Sequence, residues 1–183
     1  MLKKNHFLLD PNITFLNHGS FGACPKPVFD IYQQWQRKLE ERPIEFLGRN
    51  AFSLLAESRE KLADYLNCAA RDLVYFPNPS TAINMVVPNL DLQPGDEILT
   101  TDHEYRAMDR TWRYFCAKSG AKYIQRNIPL PVTTHADFVE NFWAGVTPKT
   151  KIIFLSHITS STALVFPVTE ICKKARKTGK IGR

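Results

Sequence analysis

Asn78, Ser80 and Thr81 lie within four positions of one another, interleaved with Pro77 and Pro79. An amide, two hydroxyls and a helix start are what a phosphate group needs. The first N–H groups of a helix have no partner inside it, and the helix dipole puts about half a positive charge there. Pro79 suits the first turn, where a missing N–H is tolerated. The same residues also suit a plain cap, in which Asn78 or Ser80 satisfies one helix N–H. Two further polar groups stand downstream. Asp102, His103, Glu104, Tyr105 and Arg106 form one, and His157, Thr159, Ser160, Ser161 and Thr162 form the other. Each alone is ordinary loop polarity or capping. Together they suit a polar ligand that carries a phosphate.

The elements around these groups are expected to bring them to one edge. Leu73–Phe76 is a short apolar, aromatic run of strand type. Glu97–Thr101, Lys122–Asn127 and Lys151–Ser156 are further strand candidates. Helices are expected between them over about Ser80–Val87, Tyr105–Ser119 and Ala136–Ala144, with a last one from about Pro167. In the second, Met108, Trp112, Phe115 and Cys116 share one face. Thr134 and Asp137 form a capping pattern, followed by Phe138 and Phe142 one turn apart. In the last, Val168, Ile171, Cys172 and Ala175 point inward. Strand and helix in alternation specify an α/β fold, a partial doubly wound and mostly parallel sheet with helices on both faces. Ligands of such sheets bind at the carboxyl ends of the strands, where all three polar groups fall.

Residues 1–50 read as an N-terminal arm and first helix, and residues 51–183 as an incomplete large domain. Phe15–Gly22 is Gly-rich. A helix follows Pro25-Lys-Pro27 to about Glu41, with Val28, Ile31, Tyr32, Trp35 and Leu39 on one face. Glu45–Arg49 is a connector, and Phe52, Leu55, Ala56, Leu62, Ala63 and Leu66 mark a second amphipathic helix.

Of 183 residues, 44% are hydrophobic and 23% charged, an ordinary globular composition. The net charge of +6 is matched by Lys173, Lys174, Arg176, Lys177, Lys180 and Arg183, so the rest of the chain is neutral. This cluster has no interleaved aromatic residues, which argues against nucleic acid as a partner and fits a solvated helix face. Cys24, Cys68, Cys116 and Cys172 are scattered without metal-ligand spacing, and three of them read as small buried hydrophobes in a reducing compartment. No apolar run spans a membrane, and the start is too short for a signal peptide. A cytoplasmic location is expected.

Leu16-Asn-His-Gly-Ser-Phe-Gly22, Glu45-Phe-Leu-Gly-Arg49, Thr100-Thr-Asp-His-Glu-Tyr105 and Ser156-His-Ile-Thr-Ser160 with Phe166-Pro-Val168 carry a family likeness. Over residues 14 to 178 or so, the chain resembles the isopenicillin N epimerase-like branch of the class V aminotransferases. The resemblance implies a fold of the aspartate-aminotransferase type, pyridoxal 5'-phosphate as cofactor, an amino-acid-like small molecule as substrate and a homodimer. It implies a phosphate turn at Asn78, Ser80 and Thr81. It also implies His103 stacked on the pyridine ring, and Thr159 or Ser160 bonded near the ring hydroxyl or phosphate. Asn17, His18, Arg49 and Tyr105 are the substrate-side candidates, Arg49 because its fork matches a carboxylate.

This cofactor's chemistry needs a lysine for the Schiff base and a carboxylate for the ring nitrogen. The resemblance places both beyond the helix that ends near Lys177. No aspartate follows Asp137, and Lys173, Lys174, Lys177 and Lys180 do not match the lysine of the family. The chain therefore reads as an N-terminal portion of an epimerase, aminotransferase or lyase, inactive alone. It carries one cofactor wall without the covalent anchor, and an uncovered sheet edge that favours association. The alternative is a non-enzymatic dimerisation or binding fragment.

Overall fold

The computed structural model describes residues 4–132 and 134–178. The chain divides into two compact units, one up to Val74 and one from Tyr75 onward. The boundary expected between residues 50 and 51 lies inside the first unit. That unit is helical. Helix α1 (Lys26–Glu41) starts behind Pro25 with Pro27 in its first turn. A π-helical turn, Ile44–Asn50, occupies the expected connector and leads into α2 (Ala51–Leu66). Asn67 ends α2 in a left-handed conformation, with its N–H donated to Asp64 O at 3.3 Å.

The second unit is built on three parallel strands, β1 (Glu97–Thr101), β2 (Lys122–Arg126) and β3 (Thr150–Ile153), in the order β2-β1-β3. Ile98 and Leu99 are both fully buried, on opposite faces of the central strand. Ile98 packs with Val87, Trp112 and Cys116, under α3 (Pro79–Val86) and α4 (Arg106–Ser119). Leu99 packs with Ile128, Phe138, Phe142, Phe166 and Ile171, under α5 (His135–Trp143) and α6 (Val168–Lys177). A parallel sheet needs both faces covered, and here both are. Gly120 ends α4 at φ 77° against Pro94, where a side chain would be strained and crowded. The Thr134 cap is present, its Oγ1 accepting from Asp137 N at 3.1 Å.

Three expectations are corrected. Leu73–Phe76 is not a strand, and Val74, Tyr75 and Phe76 are 73%, 46% and 38% exposed. Its residues have strand propensity, but none of the three strands runs beside it, and a strand exists only as part of a ladder. Strand β3 ends at Ile153, so Phe154–Ser156 lies beyond it. Of the four cysteines only Cys116 is buried; Cys172 lies on the outward side of the Ile171–Ala175 stripe. Among the described residues no helix is long and apolar enough to cross a membrane.

Candidate functional site

Asn78 is extended (φ −164°, ψ 162°) and caps α3. Its Oδ1 accepts from Thr81 N at 2.8 Å and from Thr81 Oγ1 at 3.1 Å. Its backbone oxygen accepts from Ala82 N at 3.2 Å. Pro79 has no N–H to offer. The Thr81 donors are thus engaged by the cap. The N–H and hydroxyl of Ser80 make no hydrogen bond among the described residues, so they are the donors this helix start presents.

At the end of β1, the run Asp102-His103-Glu104 fastens the three strand ends to one another. Asp102 reaches toward β2: Oδ1 accepts from Ile128 N at 3.0 Å and Oδ2 from Asn127 Nδ2 at 2.6 Å. The His103 ring lies 2.8 Å, through Nε2, from Ile128 O, and its Nε2 is 3.5 Å from Asp102 Oδ1. Glu104 reaches toward β3: Oε1 accepts from Ser156 N at 3.0 Å and from Thr101 Oγ1 at 3.2 Å, and Oε2 from Ser156 Oγ at 2.5 Å. These fastening roles of Asp102, Glu104 and Ser156 were not singled out from sequence. The available signal was two acids flanking a histidine directly after a strand.

The His103 side chain is only 10% exposed and meets Phe166 edge-on at 5.9 Å. Its ring is anchored at Ile128 and Phe166 and stays partly exposed. Tyr105, two positions on, is 51% exposed and precedes α4 in an extended conformation. It carries the open ring at this strand end.

After β3 the chain makes a closed turn. Ile158 and Val165 form an antiparallel bridge, and Ala163 takes a left-handed φ of 54°. The Thr159 hydroxyl is buried inside this turn, 2.7 Å from Thr162 Oγ1, and accepts from Leu164 N at 2.9 Å. Thr159 is thereby committed to shaping the turn, while Ser160 and His157 are exposed on it. The loop ends after β1 and β3 are brought together through Glu104 and Ser156. No hydrogen bond among the described residues joins either to the α3 cap.

The first unit holds the remaining candidates. Asn17 O accepts from Phe21 N at 3.0 Å in a turn. The His18 ring packs against Phe15 at 4.8 Å and Phe7 at 5.4 Å. Arg49 lies exposed in the π-helical turn and makes no ion pair among the described residues, where Arg42 and Glu45 pair at 3.3 Å.

Electrostatically, burial first and then the Asp109 carboxylate, which accepts from its hydroxyl, push the Tyr123 phenol above its ordinary value. Burial raises the Cys116 thiol. At the opposite end of β1, the Gln93 N–H and then Lys151 hold the Asp96 carboxyl below its ordinary value. Among the described residues no cluster suits a metal ion.

Known proteins place this arrangement. Residues 23–181 match the aminotransferase class-V family. The isopenicillin N epimerase of Amycolatopsis lactamdurans is 36% identical over 174 residues, 93% of this chain and 44% of that protein. The structure of the lyase C-DES with glycine covalently linked to its PLP cofactor superposes with a TM-score of 0.82 at 25% identity, over 97% of this chain and 46% of that one. The complex of the same cystine C–S lyase with its product cysteine persulfide gives 0.82 at 26% identity, over 91% and 44%. The chain spans less than half the length of these relatives. With the greater part of its length matched and its parallel sheet shared, it belongs to the class V aminotransferase family.

Proposed function

We propose that this chain forms the phosphate-side wall of a pyridoxal-phosphate site in an enzyme acting on an amino acid, of epimerase, aminotransferase or lyase type. The observation that carries the reading is the set of strand ends fastened by Asp102-His103-Glu104, within a chain of this family. The donor set fits the group in part. Ser80 offers an N–H and a hydroxyl beside the Asn78 amide, at the positive end of α3, for a phosphate. Thr81 supports them through the cap. His103, held by Ile128 and Phe166, is proposed to stack on the flat ring, with the exposed Tyr105 on the substrate side. Ser160 presents a hydroxyl from the turn that Thr159 shapes. Asn17, His18 and Arg49 are proposed on the substrate side, Arg49 for a carboxylate.

When held by an amine, the cofactor supplies an electron sink for bond breaking next to the substrate nitrogen. The residues named here are proposed to bind and orient that group. Equilibrium dialysis against pyridoxal phosphate tests the reading, with the Ser80→Ala variant beside the wild type. Saturable binding weakened about tenfold by that variant is expected, the effect of one lost charge-assisted hydrogen bond. After borohydride the cofactor should still dialyse away. A permanent label on Lys173, Lys174, Lys177 or Lys180 would overturn a reading in which the residues of this wall hold the cofactor without a covalent bond.

Non-enzymatic association is the second reading. The exposed apolar face of α1 favours it, since Val28, Ile31, Tyr32 and Trp35 all stand in solvent within this chain. Sedimentation that shows a concentration-dependent dimer, together with no binding of pyridoxal phosphate, would favour it over the first.

A further inference from the structure

We infer that Glu104 is a positioning residue that locks the loop carrying Tyr105 to the turn carrying Ser160. The inference deepens the cofactor reading and rests on it.

Glu104 is the one charged side chain that is buried among the described residues, at 8% exposure. Among the described residues no ion pair includes it. A carboxylate out of water without a counter-ion is unfavourable unless hydrogen bonds replace its hydration. Glu104 has three, and two come from Ser156. Their placement is informative. Strands β1 and β3 stay paired through Phe154 N, which donates to Leu99 O at 2.9 Å. Two residues later, the Ser156 N–H donates to the Glu104 side chain instead of to a strand. Glu104 therefore continues the pairing past the point where the sheet ends. Tyr105 follows it directly in the chain, and the bridge Ile158–Val165 closes the turn two residues beyond Ser156. Removing the carboxylate leaves the Ser156 N–H without its acceptor and frees both loops.

All three contacts ask Glu104 to accept, and none needs its charge. Glutamine can keep them. Its oxygen accepts from Ser156 N and Thr101 Oγ1, and its NH2 donates to Ser156 Oγ, whose hydroxyl turns round. A positioning role is thus separable from an electrostatic one.

The test has two arms on the chain as it stands. Without cofactor, amide hydrogen exchange is followed at Ser156 and across 157–164. Glu104→Ala should speed it about tenfold or more while β1 stays protected, and Glu104→Gln should restore it. Unchanged exchange in Glu104→Ala, or in Glu104→Leu if the former does not fold, would overturn the inference. In the second arm, dialysis and the induced circular dichroism of bound pyridoxal phosphate are compared. Glu104→Ala should bind about tenfold more weakly with a smaller signal per bound molecule, and Glu104→Gln within about threefold of wild type. A glutamine variant as weak as the alanine would make the charge decisive and overturn positioning. If the wild type itself fails to bind, the cofactor reading falls, and the exchange arm alone judges Glu104.

Discussion

Helices α1 and α5 carry the same signature, apolar residues repeating at three and four positions, yet they end in opposite environments. In α5, Phe138 and Phe142 lie parallel, 6.0 Å apart, and Phe138 tilts onto Phe166 at 4.4 Å. In α1, Val28, Ile31 and Tyr32 are more than half exposed, and Trp35 touches Phe46 edge-on. Helical spacing states that a face is apolar; it does not state what covers it. In the sheet unit the cover is close in sequence, because each strand is followed by the helix that packs on it. In the first unit, Phe46 of the π-helical turn reaches the α1 face at Trp35, and Val28, Ile31 and Tyr32 stay exposed.

The largest expected effect breaks or confirms this contrast. Phe142→Ala should destabilise the protein by about 3–5 kcal/mol, since it removes a fully buried ring and leaves a cavity. Trp35→Ala should change stability by less than about 1 kcal/mol, as at other half-exposed positions. Urea melts of both variants decide it. An equal loss at Trp35 would mean that the α1 face is covered in solution.

A smaller effect is expected at Gly145. A Cβ there would stand 2.7 Å from Arg126 Cδ and 2.9 Å from Leu99 Cδ1. Arg126 is held by Asn141, with Nε donating to Asn141 O at 3.2 Å and Nη2 to Asn141 Oδ1 at 3.0 Å, so it cannot simply swing away. Gly145→Ala should cost about 1–3 kcal/mol by overpacking, measured in the same melts. Gly48, in the first unit, has open space, and Gly48→Ala should be close to neutral. A matching loss at Gly48 would erase the contrast between a packed unit and an open one.

What was legible in the sequence follows the same division. Strand β1 stands at its expected bounds, Glu97–Thr101, because Pro94-Gly95-Asp96 and Asp102 punctuate it on both sides. The Thr134 cap and the Phe138–Phe142 pair are local and were readable for that reason. Leu73–Phe76 has as strong a strand composition as β1, but a strand depends on a neighbour that composition cannot supply. At the site, the residue types were legible and their employment was not. Asp102, His103, Glu104 and Thr159 all look like ligands to a polar group, and all four are engaged in holding loops. Tyr105, Ser80 and Ser160 differ only in having their polar or aromatic groups left outward. That distinction depends on hydrogen-bond geometry between segments distant in sequence.

The pH dependence sharpens the comparison from the sheet side. Tyr123 and Cys116 both titrate above their ordinary values of 10.0 and 9.0 in the folded state. A raised folded value means that their contribution is complete below the unfolded value and is lost as pH rises past it. Stability should therefore decline above about pH 9, and Tyr123→Phe should flatten the part of the decline above about pH 10. Asp96 has the opposite sign: its depressed value contributes above 3.8 and is lost as pH falls through that range. Denaturant melts from about pH 3 to about pH 12 follow both limbs. An alkaline limb unaltered in Tyr123→Phe would exclude Tyr123 as its origin and leave Cys116.

The smallest effect concerns the helix start where a phosphate is proposed. Asn78 caps α3 through Thr81, and losing such a cap costs about 1 kcal/mol. Asn78→Ala should show that loss in stability. Its effect on phosphate affinity separates the two uses of the residue. The cap occupies the Thr81 donors, and of the Asn78 side chain the NH2 is left to face a ligand beside Ser80. If Asn78 serves the helix alone, removing it releases the Thr81 N–H and hydroxyl, and inorganic phosphate should bind no worse than to wild type. If Asn78 also serves the ligand, Asn78→Ala should weaken phosphate along with stability, while Asn78→Asp should restore stability and still repel the anion. A phosphate titration of the three proteins, read beside their melts, distinguishes a helix that is merely capped from one whose cap is part of the seat.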